Sequence, residues 1–204
     1  MLPDPVAVHP WPQGLQRAVA ALRADGALTV LSVPAPLTEY RDAARAHIRT
    51  ALCGTLAEFL DQPAASIHLV SHPGQAIRVA RPVTGLHVSV SHAPGMSLAA
   101  VATGRAVGVD LMRLCAGAQV MPEWVQVARD YLGPVWTQLL QDAQPWQRPA
   151  AFAQAWTQLE ARLKCLGLPL MEWKPALAQQ LQTCPVMPLA LPAGWCGAVA
   201  VRMG

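Results

Sequence analysis

Val107-Gly108-Val109-Asp110-Leu111-Met112 reads as a strand, and Trp156-Thr157-Gln158-Leu159-Glu160-Ala161-Arg162-Leu163-Lys164 reads as a helix. In the first run, alternation puts Val107, Val109 and Leu111 on one face and Gly108, Asp110 and Met112 on the other. In the second, Trp156, Glu160 and Lys164 recur at helical spacing and line one face, with Ala155, Leu159, Leu163 and Leu166 around them. Each segment holds a carboxylate in an apolar setting, where an unpaired charge is costly to bury. Two such acids, 50 positions apart on separate elements, point to a shared divalent metal with oxygen ligands. The glycine on the Asp110 face predicts room there for a ligand to approach the backbone.

Upstream, residues 86–92 alternate in the half-buried strand pattern: Leu86, Val88 and Val90 on one face, His87, Ser89 and Ser91 on the other. His92 stands at the strand end before Ala93-Pro94-Gly95, where a histidine and turn amides can donate to a phosphate. A Ser-His-Asp hydrolase is excluded, because Ser91 is not in a G-x-S-x-G elbow. Residues 97–103 and 105–111 are predicted to form a hairpin about Gly104.

Farther out, residues 27–33 form a short β-branched run ended by Pro34-Ala35-Pro36. Thr38 or Asp42 then caps a long helix reaching about Leu60, with Ala44, Ile48, Leu52, Leu56 and Leu60 at helical spacing. Residues 67–70 read as a strand before a Pro73-Gly74 turn. Later helices are expected near residues 122–131, 135–141 and 149–166, and a closing strand over 195–202. Strand, helix and strand in each half predict an α+β fold of two related lobes, residues 1–103 and 104–204.

The composition sets outer bounds. At 204 residues, 53% apolar and 13% charged, the chain is long enough and apolar enough for a real core. No apolar run is long enough to span a membrane, and the start lacks a basic stretch followed by an apolar one. A cytoplasmic protein is therefore expected. The five cysteines are scattered without a C-x-x-C pair, which argues for reduced thiols rather than a zinc ribbon. Thirteen of the fifteen cationic side chains are Arg, leaving only Lys164 and Lys174. Residues 62–109 contain no acid, while Arg78, Arg81, Arg105, His68, His72, His87 and His92 fall there. Such a stretch favours an anionic ligand or partner, and it also suits buried strands that exclude acids. Nucleic acid is not expected, for want of a basic run or an aromatic-studded patch.

Three motifs in order resemble the signature of the 4'-phosphopantetheinyl transferases. Val107-Gly108-Val109-Asp110 matches the family's [I/V]-G-[I/V]-D, and the 45 residues 111–155 match its gap. Trp156 to Lys164 is similar to [F/W]-[S/T/C]-x-K-E-[A/S]-x-x-K, and Ser89-Val90-Ser91-His92 to S-x-S-H. Gly194-Trp195-Cys196-Gly197-Ala198-Val199-Ala200 is similar to the family's last strand.

The resemblance, over about residues 85–202, implies the larger, monomeric type: two pseudo-symmetric lobes, each a small mainly antiparallel sheet packed with a long helix, with the site between them. The implied reaction moves phosphopantetheine from coenzyme A to a serine of an acidic acyl or peptidyl carrier protein and releases 3',5'-ADP. Asp110 and Glu160 would hold Mg²⁺. Glu160 would deprotonate the serine, and Lys164 and His92 would contact phosphate. Arg49, Arg41, Arg78 and Ser91 would complete the coenzyme A contacts.

Three departures stand out. Met112 occupies the place of a third acid, Leu159 that of the first lysine of the helical motif, and Gln75-Ala76 that of a common K-P pair. Either a neighbouring arginine such as Arg162 supplies the missing cation, or the chain is an impaired relative that binds coenzyme A or a carrier protein. An unrelated α+β binding protein carrying these motifs by coincidence is the third reading.

Overall fold

The computed structural model describes residues 4–24, 28–35, 37, 41–71, 76–82, 85–114 and 123–202. Thr38, the Pro73-Gly74 turn, His72 and Gln75 lie outside the described residues. The first half contains β1 (Val6–Pro10), α1 (Leu15–Arg23), β2 (Leu28–Pro34), α2 (Arg41–Leu60), β3 (His68–Val70), β4 (Arg78–Arg81), β5 (Leu86–Ala93) and β6 (Met96–Thr103). The second contains β7 (Val107–Arg113), α3 (Trp124–Val127), a π-helical turn (Ala128–Leu132), α4 (Gly133–Asp142), α5 (Arg148–Leu166), α6 (Pro175–Gln182), β8 (Val186–Ala190) and β9 (Trp195–Val201).

Local chemistry accounts for the long elements. In α2 the residues at helical spacing, Ala44, Ile48, Leu52 and Leu56, are all buried. Helix α5 begins with Pro149 in its first turn and ends on Gly167, whose φ of 68° places it in the left-handed region. There the Leu168 N–H donates to the Leu163 carbonyl at 2.9 Å, closing the helix in a Schellman arrangement. Strands β5 and β6 form a hairpin through Pro94 and Gly95.

Seven strands make one mixed sheet in the order β5-β6-β2-β1-β8-β9-β7, and β3 and β4 form a separate ribbon. Strand β1 runs parallel to both β2 and β8, joining the strands of the two halves into this single sheet. The protein is thus mixed α+β. The expected hairpin about Gly104 is not formed. Strand β6 has both edges taken, by β5 and β2, so β7 crosses over to pair with β9.

The sheet nearly closes on itself. Its two end strands, β5 and β7, meet through serine hydroxyls: the Val109 N–H donates to Ser89 Oγ at 3.1 Å and the Leu111 N–H to Ser91 Oγ at 3.3 Å. Inside lie Val30, Leu98, Ala100, Val107, Val109, Leu111 and Val199. Helices α1 and α2 cover the outer face of β2, β5 and β6, while α5 covers the outer face of β7 and β9. That outer face carries Gly108, Asp110 and Met112.

Candidate active site at the seam of β5 and β7

Gly108 decides where α5 sits. A Cβ at this position would overlap the Ala161 carbonyl oxygen and the Cys165 amide nitrogen. Only glycine lets the helix backbone close on β7, so the room expected beside Asp110 for a ligand is filled by α5 instead. The close approach brings Glu160 and Lys164, on either side of Ala161, up to the strand's carboxylate.

Asp110 is only 8% exposed, and its Oδ1 is held by two donors. Ser91 Oγ donates to it at 2.7 Å, and Lys164 Nζ donates to it at 2.7 Å. The same ammonium reaches the Val109 carbonyl at 3.1 Å. Ser91, expected among the coenzyme A contacts, is buried, and its hydroxyl both receives the Leu111 N–H and orients Asp110. The second carboxylate oxygen of Asp110 has no hydrogen-bond partner among the described residues.

Glu160 is half-buried, and its pKa is raised, first by burial and then by the charge of Asp110; Lys164 works in the opposite direction. A carboxylate shifted this way is a better proton acceptor, as a general base requires. His92 lies at the end of β5 on the face of Leu86, Val88 and Val90, which packs toward α2. Its Nδ1 is 2.8 Å from Ser97 Oγ. Burial first, then Arg45 and Lys164, lower its pKa, which favours the neutral ring.

Arg45 is the residue that sequence reading passed over. It pairs loosely with Asp42 at 3.5 Å, both side chains being largely exposed, and its charge reaches His92. The signal was present: Arg41, Arg45 and Arg49 recur every four residues, one face of one helix. Arg41 opens α2, and its side chain lies outside the described part. Arg49 ties α2 to β3, donating to the Leu69 carbonyl and, at 3.2 Å, to Ser71 Oγ. Arg78 is exposed on β4 opposite Val70, so it stands by the same strand as Arg49 rather than beside Asp110.

The departures from the motif also have a place in the fold. Leu159 is buried among Leu132, Leu140, Phe152 and Leu163, and Met112 packs against that cluster. Arg162 Nε donates to the Cys184 carbonyl at 3.1 Å. At about 100° per residue, position 162 lies about 160° around the helix from Glu160. Arg162 therefore does not supply the missing cation at the seam.

Asp110 and Glu160 fit a sparse, two-carboxylate hold on a hard divalent ion. The Asp110 charge disfavours that of Glu160, and a cation held by both would remove that penalty. Among the described residues no group of three or more His, Cys, Asp and Glu gathers around a point. None of the described helices is long and apolar enough to cross a membrane. No protein-family model matches the chain, and no curated protein does.

Proposed function

We propose that the protein transfers 4'-phosphopantetheine from coenzyme A to a serine of an apo carrier protein. One observation carries this reading: Asp110, Glu160, Lys164 and His92, from three motifs in family order, come together at one seam. On this reading residues 1–103 and 104–204 are pseudo-symmetric lobes. Each contributes three antiparallel-paired strands and a long helix, β2, β6 and β5 with α2 and β8, β9 and β7 with α5, and the site lies between them.

Asp110 and Glu160 would hold Mg²⁺, which when bound neutralises the pyrophosphate charge. Glu160 takes the proton from the carrier serine, whose oxygen forms a bond to the phosphorus bearing pantetheine. The bond from that phosphorus to the departing 3',5'-ADP oxygen breaks. Lys164 and His92 donate to phosphate oxygens, and Arg45 adds positive charge over the same region. Ser91 and Val109 hold Asp110 and Lys164 in place. The exposed Arg45 would help to steer an acidic carrier toward the site.

The second reading is an impaired relative that retains coenzyme A or carrier binding. It is favoured by the burial of Leu159 and by the engagement of Arg162 with Cys184, which leave the seam without the motif's first lysine. Calorimetry of coenzyme A binding, with and without Mg²⁺, combined with chromatography for 3',5'-ADP release, separates the two. The transferase binds coenzyme A and releases 3',5'-ADP when an apo carrier is added, and Asp110→Ala abolishes both. Binding without release supports the impaired relative. Neither binding nor release overturns both.

A further inference from the structure

On the side of α5 turned away from the seam lies a cavity of about 370 Å³. Tyr131, Trp136 and Trp173 give it aromatic walls, Leu159 lies in its lining, and Gln158 and Arg162 bring polar atoms to it. Trp173 is held in place by its backbone, whose N–H donates to the Asp130 carbonyl at 2.6 Å. Its indole lies against Gly133, where a φ of 81° and the missing side chain make space for the ring.

Arg162 is the anomaly in this wall. Its Nε is tethered to the Cys184 carbonyl, yet its two terminal nitrogens have no hydrogen-bond partner among the described residues. The Gln158 amide has none either. No carboxylate lines the cavity among the described residues, so nothing there balances the guanidinium. Burial works against its charge and lowers its pKa. A half-buried cation with an unused planar fork, set in an aromatic hollow, complements a carboxylate attached to an apolar body.

We propose that this cavity binds a small carboxylate with an aromatic or short acyl body, its charge against Arg162 and its body against Tyr131, Trp136 and Trp173. The site is separate from the seam, because positions 159 and 162 lie about 100° and 160° around α5 from Glu160.

The test compares 3-phenylpropionate and octanoate with their primary amides on the full chain, by calorimetry and saturation-transfer NMR. The acids bind, and the amides bind at least tenfold more weakly. Arg162→Gln lowers the acids to the level of the amides, whereas Arg162→Lys keeps part of the preference. Saturating coenzyme A leaves the binding unchanged. Equal affinity for acid and amide overturns the proposal, as does displacement by coenzyme A or no binding of any probe at millimolar concentration. The acid–amide comparison needs no variant, so a misfolded Arg162→Gln does not rescue the idea.

Discussion

Replacing Ser91 with alanine removes two interactions at once: the acceptor for the Leu111 N–H and the donor to Asp110. Both groups are buried, and an orphaned buried polar group costs about 1–3 kcal/mol. Ser91→Ala is expected to lower Tm by roughly 3–10 °C, read by thermal denaturation. An unchanged Tm would mean the hydroxyl does not clasp the seam. Glu160 behaves in the opposite sense. Its folded-state pKa is raised, so above that pKa the charged carboxylate is disfavoured in the folded protein relative to the unfolded one. Glu160→Gln is thus expected to raise Tm at pH 7 by about 2 °C. The gain disappears as pH falls below the ordinary carboxyl range near pH 4, where both states carry the proton. Millimolar Mg²⁺ should stabilise the wild type more than the variant. A gain that persists at pH 3 would place its origin outside this ionisation.

At the scale of elements, the contact of β7 with α5 depends on Gly108. A methyl group there meets helix backbone, which cannot rotate away as a side chain can. Gly108→Ala is expected to cost about 3 kcal/mol or more and to displace α5 from Asp110. Chemical denaturation reads the first effect. Loss of the Tm difference between Glu160→Gln and its parent reads the second. A variant as stable as the wild type would contradict the close approach.

The elements legible in the sequence were those with a clear local pattern: α2 through Ala44, Ile48, Leu52 and Leu56, α5 through its apolar face, β2 through its β-branched run, β5 through its alternation and β9 as an apolar closing strand. Strands β1 and β8 were not anticipated; each is 5 residues long and contains a proline. The partner of β7 was misread because adjacency in sequence suggested a hairpin, whereas edge availability in the sheet decides pairing. Glycine at 108 was read as space for a ligand. Only the position of α5 shows that the same missing side chain admits a helix. Glu160 and Lys164 stood out because they lie four residues apart on one helix face, and Asp110 because it shares a strand motif with Gly108. Ser91's hold on Asp110 crosses the seam and is invisible to any local pattern.

For the molecule as a whole, the proposed chemistry depends on a sheet that brings its two ends together. Strand β1 links the two halves, and β5 and β7 then face each other with α2 and α5 on their outer sides. The proposed site draws Ser91, His92 and Arg45 from the first half and Asp110, Glu160 and Lys164 from the second. Phosphopantetheine transfer is read by the intact mass of an acidic apo carrier protein incubated with this protein, coenzyme A and Mg²⁺. A gain of one phosphopantetheine is expected, absent with Glu160→Gln and absent when the carrier's acceptor serine is changed to alanine. Carriers of several types that all keep their starting mass, with the wild-type protein folded and coenzyme A in excess, would contradict it.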